Sequence, residues 1–218
     1  MSIKNFISRL QKKVYYKGWH GLFLIIIQKL TIYPFLQIVQ IVLGYDRWHN
    51  TPFFIRPYAK KIVEYLNKKD TKNSVVEIGC GTGDILRRLL YNEKYGLDND
   101  EKVLKGLDFF SVFLNKSTKI KILVFDFEKE ELEGQYDIII LCNWIHGIRP
   151  ELLKEKINKI FDSNLKLNGE IIVDVIKKNS NYPYNHDISY LTSGFFGHIK
   201  EIGNYDYGRI IYSIKKSI

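Results

Sequence analysis

From residue 73 onward, short apolar runs rich in β-branched side chains alternate with segments whose apolar positions recur every three or four residues, which is the signature of alternating strands and helices. NSVVEIG (73–79) reads as a strand, GDILRRLLY (83–91) as a helix, and KYGLDND (94–100) as a strand ending in acids. EKVLKGLDFFSVFL (101–114) reads as a helix and IKILVFDFE (120–128) as the next strand. YDIIILCNW (136–144) has the continuous apolar character of a strand buried on both faces. RPELLKEKINKIFDSNLK (149–166) is a helix with Pro150 in its first turn, and GEIIVDVI (169–176) is a strand after the Asn168-Gly169 stop. HIKEIG (198–203) and GRIIYSIKK (208–216) are two further strands separated by NYDY. The pattern predicts an α/β protein with a doubly wound, mostly parallel seven-stranded sheet, in which a final hairpin turns one strand antiparallel.

The chain before residue 73 follows a different pattern. YAKKIVEYLNKKD (58–70) places Ile62, Val63 and Leu66 on one helical face, starting either at Thr51-Pro52 or at Pro57. YDRWHNTPFFIRPY (45–58) is a hinge, and residues 22–45 are apolar with Lys29 as their only charge. A spanning helix needs about 20 apolar residues, but Gln28, Lys29, Pro34, Gln37 and Gln40 interrupt the run. A re-entrant or interfacial pair of helices kinked at Pro34 fits at least as well, and the bland alternative is a helical cap packed on the following domain or on a second copy in a homodimer. The division expected is a helical membrane-associating or capping segment over 1–45 and a ligand-binding domain over 46–218.

Charge sharpens that division. The net charge is +9, yet residues 1–70 hold 12 Lys and Arg against 3 Asp and Glu, while residues 71–218 hold 21 of each. The excess therefore points to an anionic surface met by the N-terminal part, a membrane before a nucleic acid. No secretory leader is expected, so the location expected is cytoplasmic, at the inner face of the membrane. At 218 residues, 45% apolar and 14% aromatic, the chain can bury one sizeable core. Its two cysteines, Cys80 and Cys142, have no metal-site or disulfide spacing, and no metal is expected.

The chemistry concentrates in VVEIGCGTGDILRRLL (75–90), where Gly79, Gly81 and Gly83 end the first strand. Glycines there let the backbone approach a ligand, and the following helix would aim its N–H groups at it. The spacing is not that of a dinucleotide fingerprint, because Asp84 stands where the third glycine belongs and its carboxylate would repel a pyrophosphate. The phosphate-loop pattern is absent as well. Asp98, 19 residues after Gly79, ends the second strand, where a carboxylate can accept from a ribose diol. Asp126 ends the third, where it can accept from an exocyclic amine with Phe127 flanking a purine. Each of these residues alone is equally a turn or helix-capping residue; together they specify an unphosphorylated adenosine.

VVEIGCGTG (75–83), YGLDND (95–100), FDFE (125–128), YDIIILCNWIHGI (136–148) and LKLNGEIIVDVI (165–176) closely resemble, in that order, the class I S-adenosylmethionine-dependent methyltransferases. The resemblance covers about two thirds of the chain and implies their Rossmann-like fold, with S-adenosylmethionine as cofactor. It implies that Gly79, Cys80 and Gly81 line the cofactor's methionine part, that Asp98 and Asn99 hold its ribose, and that Asp126 and Phe127 hold its adenine. It places Asn143 beside the sulfonium, with Glu77 orienting the glycine loop or, through water, the cofactor's amino group.

Methyl transfer to an oxygen also needs a base, and histidine is tuned for that near neutral pH. His146, after the fourth strand, is the first candidate and His186 the second; either is equally a loop residue bonded to backbone. Residues 45–58 and 178–196 are expected to cover the acceptor, with His49, Arg56 and Tyr184, beside Trp48, Phe53 and Tyr182, lining its pocket. DRWH and RPY are similar, more loosely, to elements of bacterial methyltransferases linked to surface-polysaccharide assembly. The expectation is O-methylation of a glycan or glycan precursor, as a small molecule or lipid-linked. A quinone or lipid-headgroup methyltransferase and a non-catalytic membrane-tethered cofactor binder are the rivals.

Overall fold

The computed structural model describes residues 30–51, 53–114, 119–177, 182–194, 197–205 and 208–216. Seven strands form one sheet: β1 (Ser74–Ile78), β2 (Glu93–Asp98), β3 (Ile120–Val124), β4 (Tyr136–Leu141), β5 (Leu165–Ile176), β6 (Gly197–Tyr205) and β7 (Arg209–Lys216). Their order across the sheet is β3-β2-β1-β4-β5-β7-β6. Only β7 runs against its neighbours, pairing antiparallel with both β5 and β6. The helices are α1 (Ile32–Leu43), α2 (Pro57–Asn67), α3 (Glu101–Leu114), α4 (Pro150–Lys159) and a single turn, α5 (Ile188–Leu191).

Parity along the strands sorts the core into two layers, because successive strand side chains point to opposite faces. Val76, Ile78, Ile139, Leu141, Ile171 and Val173 pack with Leu153 and Ile157 of α4. Val75, Ile138, Ile140, Ile172 and Ile211 pack instead with Ala59, Ile62 and Leu66 of α2. Pro57 opens α2, its fixed φ being suited to a first turn. Strand order reverses between β1 and its two neighbours β2 and β4, which leaves a crevice at their carboxyl ends.

The largest departure from the sequence pattern follows β1. GDILRRLLY is not an α-helix but a series of turns closing in one 3-10 turn, Leu86–Arg88. Side chains from elsewhere take the backbone groups a helix would pair internally. Glu77 accepts from the Leu86 N–H, and Asn67 accepts from the Leu90 N–H while donating to the Arg88 carbonyl. β3 also stops early, at Val124, because Asp126 opens a turn whose carbonyl accepts from Lys129 and Glu130. β5 begins before the expected Asn168-Gly169 stop. Asn168 takes a left-handed φ of 63° inside the strand, and a Cβ on Gly169 would lie 2.8 Å from the Asp137 carbonyl. The pair is thus a bulge against β4 rather than a terminus. α4 ends at Lys159 and passes into a π-turn over Ile160–Asn164, whose Asn164 amide ties it to the Leu132 and Gly134 carbonyls.

Upstream, α1 is one continuous helix with Pro34 in its first turn, where a missing N–H costs nothing; the chain is helical at Leu30 and turns at Thr31, so the break falls just ahead of Pro34. The rest of the expected helix pair, residues 22–29, lies outside the described residues. Gly44, in the left-handed conformation, caps α1 by donating to the Gln40 carbonyl. Val39, with Leu36 and Leu43, packs on Tyr45 and on Val103 and Phe110 of α3. The opposite face leaves Leu30, Ile38, Ile41 and Val42 exposed. Among the described residues no helix is long and apolar enough to cross a membrane.

Candidate active site

Three glycines with positive φ carry the chain out of β1, and each meets a different neighbour. A Cβ on Gly79 would lie 2.3 Å from the Trp144 indole, one on Gly81 2.8 Å from His49 Nδ1, and one on Gly83 2.2 Å from Leu107 of α3. The loop is therefore a close-approach surface already covered by two aromatic side chains. Trp144 is fixed there by donating its indole N–H to the Ile78 carbonyl at 2.6 Å, with Phe127 edge-on at 4.8 Å. Cys80 prolongs the strand by donating its N–H to the Leu97 carbonyl, and its buried thiol is pushed well up by desolvation.

Asp98, at the end of β2, turns back onto this loop. One carboxylate oxygen accepts from the Gly81 N–H at 2.9 Å and the other from the Asp100 N–H at 3.1 Å. Desolvation raises its pKa against the pull of those bonds. The Asn99 N–H adds a third backbone bond, and since a carboxylate offers about four lone-pair sites, acceptor capacity still remains for a ligand. Asp126 is at the surface and paired with Lys129 at 2.7 Å, a hydrogen bond that lowers its pKa.

Two cavities flank the loop. The larger, about 150 Å³, is bounded by Asp98, Asn99, Asp126, Phe127, Trp144 and Ile148. The smaller, about 30 Å³, is bounded by Glu77, Cys80, Gly81, Asn143, Tyr58, Arg56 and His49. Gly79 and Trp48 border both. The nine residues expected around a cofactor thus line one or the other of these two cavities, with Gly79 in both.

Beneath the smaller cavity lies a polar cluster. Asn143 has a positive φ of 79°, and its side-chain oxygen accepts from the Tyr58 hydroxyl at 3.1 Å. Its N–H donates to Asp174 at 2.7 Å. Asp174, fully buried in β5, also pairs with Arg209 of β7 and lies 3.2 Å from His146 Nε2. Burial pushes the Asp174 carboxyl up, but the His146 hydrogen bond and the Arg209 charge outweigh it and hold the pKa low.

The two candidate bases sit deeper than expected. His146 is buried, lines neither cavity, has the tilted Tyr182 ring 4.9 Å away, and leaves Nδ1 buried without a partner. His186 bonds through Nε2 to the Ile145 carbonyl at 2.9 Å, and burial lowers its pKa. Asp187 does not orient it, because its carboxylate caps α5 by accepting from Ser189 and Tyr190.

Of the expected acceptor residues, His49 and Arg56 reach the smaller cavity. His49 is held neutral, its pKa lowered to about 4 by burial and then by Arg56. Tyr184 stands apart, its N–H donating to the His146 carbonyl and its ring near His186. Sequence reasoning missed Trp144, Asp174, Arg209 and Tyr58. Asp174 had a visible mark, a lone acid inside the apolar run IIVDVI, since a buried charge needs a partner. Among the described residues no group of three or more His, Cys, Asp or Glu is placed to hold a metal.

No known family profile matches the sequence, and no curated protein matches it either. Solved structures do. Magnesium protoporphyrin IX methyltransferase (ChlM) from Synechocystis PCC 6803, with bound SAH, matches with a TM-score of 0.62 at 16% identity, over 80% of this chain and 89% of that one. The N-methyltransferase NodS from Bradyrhizobium japonicum WM9, in complex with S-adenosyl-L-homocysteine, matches with a TM-score of 0.62 at 13% identity, over 83% of this chain and 97% of that one. This is a Rossmann-like methyltransferase fold. In this fold the crevice just described is formed by the carboxyl ends of β1 to β4 and the loops leaving them, with Trp48, His49, Arg56, Tyr58 and Ala59 of the chain before β1 completing it.

Proposed function

We propose that the protein is an S-adenosylmethionine-dependent methyltransferase acting on a hydroxyl of a glycan or glycan precursor at the cytoplasmic face of a membrane. The observation that carries the cofactor reading is the pair of adjoining cavities that share Gly79 and Trp48, one lined by Asp126, Phe127, Asp98 and Asn99 and the other by Glu77, Gly81 and Asn143. Its residues fit the group: a carboxylate with acceptor capacity left for a ribose diol and an aromatic wall for adenine. The bound cofactor supplies a methyl carbon already activated by its sulfonium. The protein then has to align an acceptor and exclude water, with Trp144 and Trp48 closing the cleft.

His146 is the base in this reading. Asp174 holds Nε2, leaving Nδ1 as the atom able to take the acceptor's proton once Tyr182 gives way, and Arg209 keeps Asp174 ionised. A buried ring nitrogen without a partner calls for such an explanation. The exposed apolar face of α1 and the basic excess before residue 70 support a membrane-directed segment over 1–45 ahead of a methyltransferase domain.

The test is release of S-adenosylhomocysteine with extracted glycolipid, with free nucleotide sugar and with quinone as separate acceptors. Turnover on a sugar-bearing acceptor, reduced roughly 10²- to 10⁴-fold in His146→Asn with cofactor affinity kept, is expected. Turnover on sugar-free lipid alone would overturn the acceptor assignment, and full turnover by the variant would overturn the base.

A further inference from the structure

We propose that an apolar chamber between α1 and the glycine loop binds the single hydrocarbon tail of a phosphate-bearing amphiphile, and that this amphiphile is the methyl acceptor or its carrier. The inference rests on the methyltransferase reading above and names the acceptor class that its site would take. The chamber holds about 380 Å³, within the range of roughly 300–1,000 Å³ usual for small-molecule sites. Phe35 and Leu36 of α1, Tyr45, Phe53 and Phe110 of α3 give it an apolar wall that no polar acceptor needs. It adjoins the cleft, since His49, Thr82 and Asp84 border both this chamber and the small cavity beside Gly81 and Asn143. A tail lodged here would therefore hold its head beside the transferred methyl.

Charge at that junction selects the head. Asp84 is approached by Arg87 at 3.0 Å, Arg88 at 3.3 Å and Arg56 at 3.9 Å, so three guanidinium groups share one carboxylate. For Arg56 and Arg88 it is the only carboxylate within ion-pair distance among the described residues. Arg56 borders the cleft and Arg88 the chamber, so the positive excess lies where tail and head would meet. Guanidinium forks match phosphate oxygens in pairs, and partial burial strengthens the attraction. The outer face of α1, with Leu30, Ile38, Ile41 and Val42 exposed, would admit the tail from a lipid surface.

Decyl phosphate, titrated calorimetrically into the full chain below its micelle concentration, tests the site, with inorganic phosphate and decyl maltoside as controls. One molecule should bind per chain, at least about tenfold tighter than either control. Thr51→Trp, which puts an indole into the chamber, and Arg88→Gln should each weaken it by about tenfold while S-adenosylhomocysteine binds as before. Decyl phosphate binding no tighter than the controls, or equally tight in both variants, would overturn the inference while leaving the cofactor reading standing. Variant-sensitive decyl phosphate binding without any S-adenosylhomocysteine binding would sink the cofactor reading and leave the chamber as an amphiphile site.

Discussion

Glu77 looks back from β1 into the crevice, and burial pushes its carboxyl from the ordinary 4.5 up to about 8, against the hydrogen bond from the Leu86 N–H. At neutral pH the folded protein therefore keeps it protonated while the unfolded chain ionises it. Stability from this group is present below pH 4.5, falls as pH rises through the window from 4.5 to 8, and is gone above 8. Urea midpoints across that window should fall in the unaltered protein and flatten in Glu77→Gln. His49 works the other way, its buried ring resisting protonation below 6.5, so the upper half of the window isolates Glu77. Equal slopes in both proteins would remove the carboxyl from this role. The residue signs in the sequence were of unequal worth. Gly79, Gly81 and Asp98 were legible because spacing encodes a backbone approach and its acceptor. Trp144 was not, because nothing local says that an indole will fold back 65 residues onto Gly79.

Strands were read more surely than helices. β1, β4 and β5 are apolar on both faces, a pattern that tertiary context had no reason to override. GDILRRLLY had helical spacing but lost its helix to bonds from Asn67 and Glu77, partners that periodicity cannot register. The pairing of β5 with β7 carries a second prediction. Ile176 faces Arg209 in register, and the Arg209 side chain crosses to Asp174 while its guanidinium lies 4.6 Å from the Tyr58 ring. Asp174→Ala would strand that cation and free the Asn143 N–H, costing about 3–5 kcal/mol. Denaturant unfolding measures it, and a loss below about 1 kcal/mol, the scale of an exposed pair, would mean that Arg209 reaches water.

At the scale of the whole molecule, the crevice opens on the side where the chain between α1 and α2 meets the sheet. His49, Trp48 and Arg56, from the chain between α1 and α2, border the cleft formed by the sheet. The sequence could place these residues near the acceptor only by exclusion, since their approach to Gly81 depends on how α1 packs on α3. That packing also sets the helix α1 beside the chain that borders the cleft. Association with vesicles should follow the basic excess before residue 70 and the exposed apolar face of α1: binding to phosphatidylglycerol vesicles is expected to exceed that to phosphatidylcholine vesicles and to weaken with salt. Equal partition into both would leave only the apolar face of α1 as the attraction. The central claim is the adenosyl cofactor, and isothermal titration of S-adenosylmethionine into the unaltered protein and into Asp98→Ala tests it most directly. Micromolar binding, on the order of −8 kcal/mol, lost in the variant is the predicted result. Binding of equal strength in both proteins, or none to folded unaltered protein, would contradict it.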